Sequence, residues 1–111
     1  MHLKNIPHEE VLVLAEQLPV HKGQIISKTL VQNQFVGMTL FSFSAEEEIS
    51  THTSHGDAMV QVLEGVGVFT VGEQKFEVGA GQCLVMPAEV PHAVYAKSDF
   101  KMLLTVVFPT A

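Results

Sequence analysis

The chain has 111 residues, 47% hydrophobic and only 16% charged, with a formal net charge of −6. That is enough for one hydrophobic core and too apolar for a disordered segment. Twelve acidic residues stand against six lysines and no arginine, which argues against a nucleic-acid partner, and no apolar run nears the ~20 residues of a membrane span.

Taken in chain order, Met1-His2-Leu3-Lys4-Asn5 lacks the apolar core of a signal peptide, and a cytoplasmic location is expected. His8 to Leu18 predicts the single helix. Val11, Leu12, Leu14, Ala15 and Leu18 recur at spacings of three and four, Pro7 favours a first turn, and Pro19 ends the segment. The segment is short and needs docking to be stable. His2, His8 and His21 are expected at the surface. Residues 1–23 are thus read as an N-terminal helical segment and 24–111 as one β domain.

From Gln24 the chain reads as strands: 24–31 and 35–44, parted by Gln32-Asn33, then a charged loop from Ala45 to Glu48. Phe41 and Phe43 alternate with Met38, Leu40 and Ser42, so both faces of the second strand carry apolar residues. A strand at 58–63 closes on Glu64-Gly65. Strands at 66–71 and 74–78 flank Gly72-Glu73, a two-residue hairpin signal with glycine first. Three more follow at 82–86, 92–96 and 100–108. Short strands with frequent turn signals predict an all-β barrel or sandwich. The single cysteine, Cys83, excludes an internal disulfide, fits a reducing compartment and is assigned to a buried strand. So few charges on a small β domain predict that a second copy covers part of its apolar surface, as a homodimer.

Two stretches carry the candidate chemistry. Ser50-Thr51-His52-Thr53-Ser54-His55 places two histidines before the strand at 58–63, and Gly81 through Pro87 to His92 places a third after another strand. Imidazoles grouped in an apolar β setting suit metal ligation or acid–base work.

These stretches resemble the two signature motifs of the cupin superfamily, small double-stranded β-helix (jelly-roll) barrels. Gly81, Pro87 and His92 stand at matching positions of the second motif, with Glu89 in place of its second glycine and Ala96 in place of its asparagine. In the first motif His52 and Gly65 match, while Ser54 occupies the second histidine position and Ala58 the glutamate position. The resemblance implies the barrel fold and a small-molecule site in its interior. In the family's metal-bearing members it implies one divalent ion (zinc, nickel, manganese or iron) on three histidines and a glutamate, or a reduced set of these.

Three readings of the site stand side by side. His55 completes a metal set of His52, His55 and His92 if a bulge near Gly56 turns it inward, because His52 and His55 face opposite sides of a regular strand. Alternatively His52 and His92 form a two-histidine pocket without a tightly held metal, or the histidines only satisfy local hydrogen bonds. With Ala58 inward, alternation sends Val60 and Val62 inward as well, and Met59, Gln61 and Leu63 outward. Ser54, Met38, Phe41, Phe43, Met86, Tyr95, Met102 and Leu104 complete the candidate lining, together with Val60 and Val62.

A barrel that binds a small molecule, with or without a divalent metal ion in its interior, ranks first among the functions. A metal-dependent enzyme (dioxygenase, isomerase or lyase) acting on a small metabolite ranks second, and a non-catalytic interaction protein third.

Overall fold

The computed structural model describes residues 2–109; Met1, Thr110 and Ala111, the outermost residues of the two expected units, lie outside the described residues. Among the described residues nine strands form two antiparallel sheets that face each other. In chain order they are β1 (Ile25–Gln32), β2 (Val36–Phe43), β3 (Glu48–His52), β4 (Asp57–Glu64), β5 (Val66–Val71), β6 (Gln74–Gly79), β7 (Cys83–Met86), β8 (His92–Ala96) and β9 (Phe100–Val107). The first sheet runs β1-β2-β9-β4-β7 and the second β3-β8-β5-β6. This is the double-stranded β-helix that the resemblance implies.

The order follows from two local devices and a long return. Gly72, at φ +61, opens the two-residue turn that pairs β5 with β6 from Val66 opposite Gly79 to Val71 opposite Gln74. Gly65, at φ +71, ends β4 where a Cβ would fall 2.0 Å from the Asp99 carbonyl, so only glycine lets the chain cross to the second sheet there. β9 then returns to pair between β2 and β4.

Between the sheets lies the main core. Ala58, Val60 and Val62 point inward from β4, where they meet Phe43, Phe69, Met86, Val94, Phe100 and Met102. Phe43 stacks on Phe100 with centroids 4.5 Å apart, and Phe69 meets the same ring edge-on at 6.2 Å. Met59 and Leu63 of β4 are only partly buried and Gln61 is exposed, as strand alternation requires.

The first sheet is apolar on its outer face too. Leu30, Leu40 and Leu103 pack there against Leu18, with Ile6, Leu14, Ile26, Met38 and Leu63 around them. The N-terminal segment supplies this cover, but not as the expected helix. Only Leu14–Gln17 form a helical turn, of 3-10 type. Glu9 at φ +60 and Val13 in extended conformation break the helical path, and Val11 and Val13 face solvent instead of a sheet. Tertiary bonds replace helical ones: the Lys101 ammonium donates to the Ala15 carbonyl, Lys28 Nζ to the Gln17 carbonyl at 3.2 Å, and the Ser42 hydroxyl to the Pro19 carbonyl at 2.6 Å.

Cys83 is also corrected. It opens β7 opposite Gln61, a solvent-facing residue of β4, and is exposed, whereas Leu84 and Met86 are the turned-in residues of that strand. No helix among the described residues is long and apolar enough to cross a membrane.

Candidate functional site

His52 ends β3 and His92 begins β8, and the two residues are direct cross-strand partners. Their rings meet edge to face, with centroids 4.2 Å apart and planes inclined by 68°. The pairing register shifts between Ile49 and His52. That irregularity lets Ile49 and His52, three residues apart, line the same space, which strict alternation forbids.

Each ring is anchored to its own strand. Nδ1 of His52 lies 2.9 Å from the Ser50 carbonyl, and Nδ1 of His92 lies 3.1 Å from the Val90 carbonyl. A carbonyl oxygen only accepts, so in both rings Nδ1 carries the hydrogen. His92 is buried, with 4% of its surface exposed, while His52 sits at the mouth in contact with solvent. Burial lowers the pKa of His92 below the usual 6.5. The Val90 carbonyl opposes that shift and the neighbouring His52 adds to it. At neutral pH the His92 ring is therefore uncharged, with a bare Nε2.

The pair stands at one end of a pocket of about 250 Å³ between the sheets. Phe41, Ile49, Ala58, Val60, Met86, Val94, Met102, Leu104 and Val106 form its apolar wall, and Ser54 is the remaining polar contributor beside the two histidines. Of the expected lining, Ser54, Val60, Phe41, Met86, Met102 and Leu104 are here. Val62 and Phe43 are buried in the core but do not reach the pocket. Met38 packs under the N-terminal segment, since it lies in the opposite phase of β2 from Phe41. Tyr95 faces outward because its neighbour Val94 faces in; it lines a shallow depression on the outer side of the second sheet with Val68, Thr70 and Ala93. Sequence reasoning missed Ile49, Val94 and Val106. Val94 was open to the alternation argument from His92, two residues away, and Ile49 was hidden by the bulge.

The three-histidine set is not assembled. His55 turns away to Glu89, whose Oε1 lies 2.8 Å from its Nδ1, and its side chain is 88% exposed. It belongs to a clamp between two loops at the mouth: the Glu89 amide donates to the Ser54 carbonyl and the Ala88 amide to Asp57 Oδ1, both at 2.8 Å. The bulge lies upstream of His52, so nothing swings His55 inward. Glu89 sits at φ +67, where the motif has glycine.

The donors present do not fit a tightly held divalent ion. An open metal site takes about three protein ligands, and this one offers two imidazoles, a serine hydroxyl and the methyl of Ala58 where the motif has its carboxylate. Asp57 does not substitute, because it points out of the pocket to the Ala88 amide. Among the described residues, no three His, Cys, Asp or Glu side chains converge.

Residues 39–108 match the family model of the cupin domain. Among solved structures, a conserved protein of unknown function from Streptococcus pyogenes is 44% identical, covering 100% of this chain and 97% of its own, with a TM-score of 0.98. A cupin superfamily protein from Desulfitobacterium hafniense is 34% identical over 98% of this chain and 100% of its own, with a TM-score of 0.93. Salicylate 1,2-dioxygenase from Pseudoaminobacter salicylatoxidans is 18% identical over 86% of this chain and 28% of its own, with a TM-score of 0.70, a likeness that shows the fold alone. No curated protein matches the chain.

Proposed function

This chain belongs to the cupin family, and from that premise we propose that it is a binding module whose barrel interior takes up a small, largely apolar molecule without a metal ion. The observation that carries the reading is the 250 Å³ pocket between the sheets, apolar on its walls and polar only at the end held by Ser54, His52 and His92. Ligand sites are built this way, with an apolar wall for affinity and a few fixed polar groups for orientation. An apolar cavity of about 150 Å³ already holds benzene or xenon, so the volume suits a molecule of one ring with a substituent.

The donor set supports binding ahead of metal chemistry, because the carboxylate and the third imidazole are both missing. The reading includes a homodimer, supported by the outer face of the second sheet, where the exposed Tyr95 stands with half-buried Val68, Thr70 and Ala93 between the charged Glu48 and Lys75.

Crystals pressurised with xenon test the pocket. Xenon is expected between Phe41, Met102 and Leu104, and a barrel that takes no xenon between its sheets overturns the reading.

A further inference from the structure

We propose that the polar group of the bound molecule is a hydrogen-bond donor, a hydroxyl or ring N–H received by His92 Nε2, and that a carboxylate is rejected. The proposal rests on the pocket reading above and adds the chemical class of its occupant.

Three observations lead to it. His92 Nδ1 is held by the Val90 carbonyl, which only accepts, so the neutral ring has its lone pair on Nε2. His52 is held the same way by the Ser50 carbonyl, so its neutral form also turns an acceptor to any ligand. Among the described residues Nε2 of His92 makes no protein hydrogen bond, and no buried side-chain nitrogen or oxygen is left without a partner. Nε2 therefore opens on the pocket's free space.

The surroundings select further. No lysine lines the pocket, and apart from His52, His92 and Ser54 the wall is aliphatic, aromatic or thioether. A carboxylate there loses its hydration, meets the bare lone pair of His92 and finds no cation, with the neutral Ser54 hydroxyl the one lining side chain that donates, so its burial is unfavourable. A hydroxyl meets a matched acceptor. Burial, which keeps His92 uncharged, works in the same direction.

The test uses p-cresol, toluene and p-toluate, three probes sharing one methylated ring, titrated into the full chain at pH 7.5 with methyl resonances as the readout. p-Cresol is expected to bind about fivefold to tenfold more tightly than toluene, the range of one neutral hydrogen bond, and p-toluate more weakly than either. In His92→Leu the preference for p-cresol is expected to disappear, while His92→Gln, which still offers an acceptor oxygen, keeps part of it. Long-range proton–nitrogen spectra of the unmodified protein give a readout that needs no variant: Nε2 should register as a bare ring nitrogen and move upfield as p-cresol donates to it. Equal affinity for toluene and p-cresol, or tighter binding of p-toluate, overturns the donor inference and leaves the pocket reading standing. Binding of none of the three overturns both.

Discussion

Taking His92 out of water favours its neutral form, and the Val90 carbonyl offsets only part of that effect. The consequence for stability has a definite sign. Between the lowered native value and the ordinary 6.5, the unfolded chain binds a proton that the native chain does not, so stability rises with pH across that window. It is fully present above about pH 6.5 and is lost as pH falls through the native value of His92. Melting temperatures from pH 7.5 down to 5 should therefore fall more steeply for the natural chain than for His92→Gln; parallel curves would show that burial of His92 has no such cost. Glu89 supplies a second test at this scale. Its left-handed backbone costs about 1 kcal/mol relative to glycine, and its partner His55 is solvent-exposed, where an ion pair contributes little. Glu89→Gly is thus expected to leave stability unchanged or raise it by up to about 1 kcal/mol, measured by urea unfolding. A clear loss would mean that the loop clamp depends on the Glu89 side chain.

At the scale of elements, alternation was a reliable guide wherever a strand is regular. Ala58, Val60 and Val62 face inward as a two-residue period demands, and the Gly72-Glu73 hairpin stands where its turn chemistry puts it. The site departs from that rule because its geometry depends on an irregularity. The bulge between Ile49 and His52 has no glycine to mark it, whereas Gly56, which invited a bulge, instead lies close beneath the Val107 carbonyl. The condition on which His55 would join the pair, a bulge near Gly56, is therefore not met. The N-terminal segment was misread because helical spacing in Val11 to Leu18 describes a face, and burial of Leu14 and Leu18 on the first sheet satisfies that pattern with a single turn. Leu18 anchors this cover at 4% exposure. Leu18→Ala is expected to cost about 2–5 kcal/mol in urea unfolding, while affinity for p-cresol stays unchanged because the segment lies on the far side of the sheet from the pocket. Loss of affinity in a folded Leu18→Ala protein would tie the segment to the site.

At the scale of the whole molecule, two packed layers divide the work. The first sheet is covered on its outer face by the N-terminal segment, whereas among the described residues no segment covers Tyr95, Val68 and Ala93 on the outer face of the second, where Glu48 and Lys75 also stand. Light scattering at micromolar concentration is expected to show a dimer, and Tyr95→Glu should shift it toward monomer by replacing the exposed ring with a second carboxylate directly opposite Glu48; a monomer before substitution would remove the dimer from the account. The interior decides the function. The frequent turn signals made an all-β barrel or sandwich legible, and the likeness of His52, Gly65, Gly81, Pro87 and His92 to the family's motifs made it the cupin barrel. The chemistry was less so, because Ala58 and Ser54 record only what the site lacks. The most direct test is a methyl-resonance titration of the natural chain with p-cresol, run before and after exhaustive treatment with a chelator. Shifts concentrated on Met86, Met102, Val60 and Leu104, with the same affinity in both runs, are the predicted result. Absence of those shifts, or affinity that disappears with the chelator and returns with a divalent metal, would contradict a metal-free binding pocket.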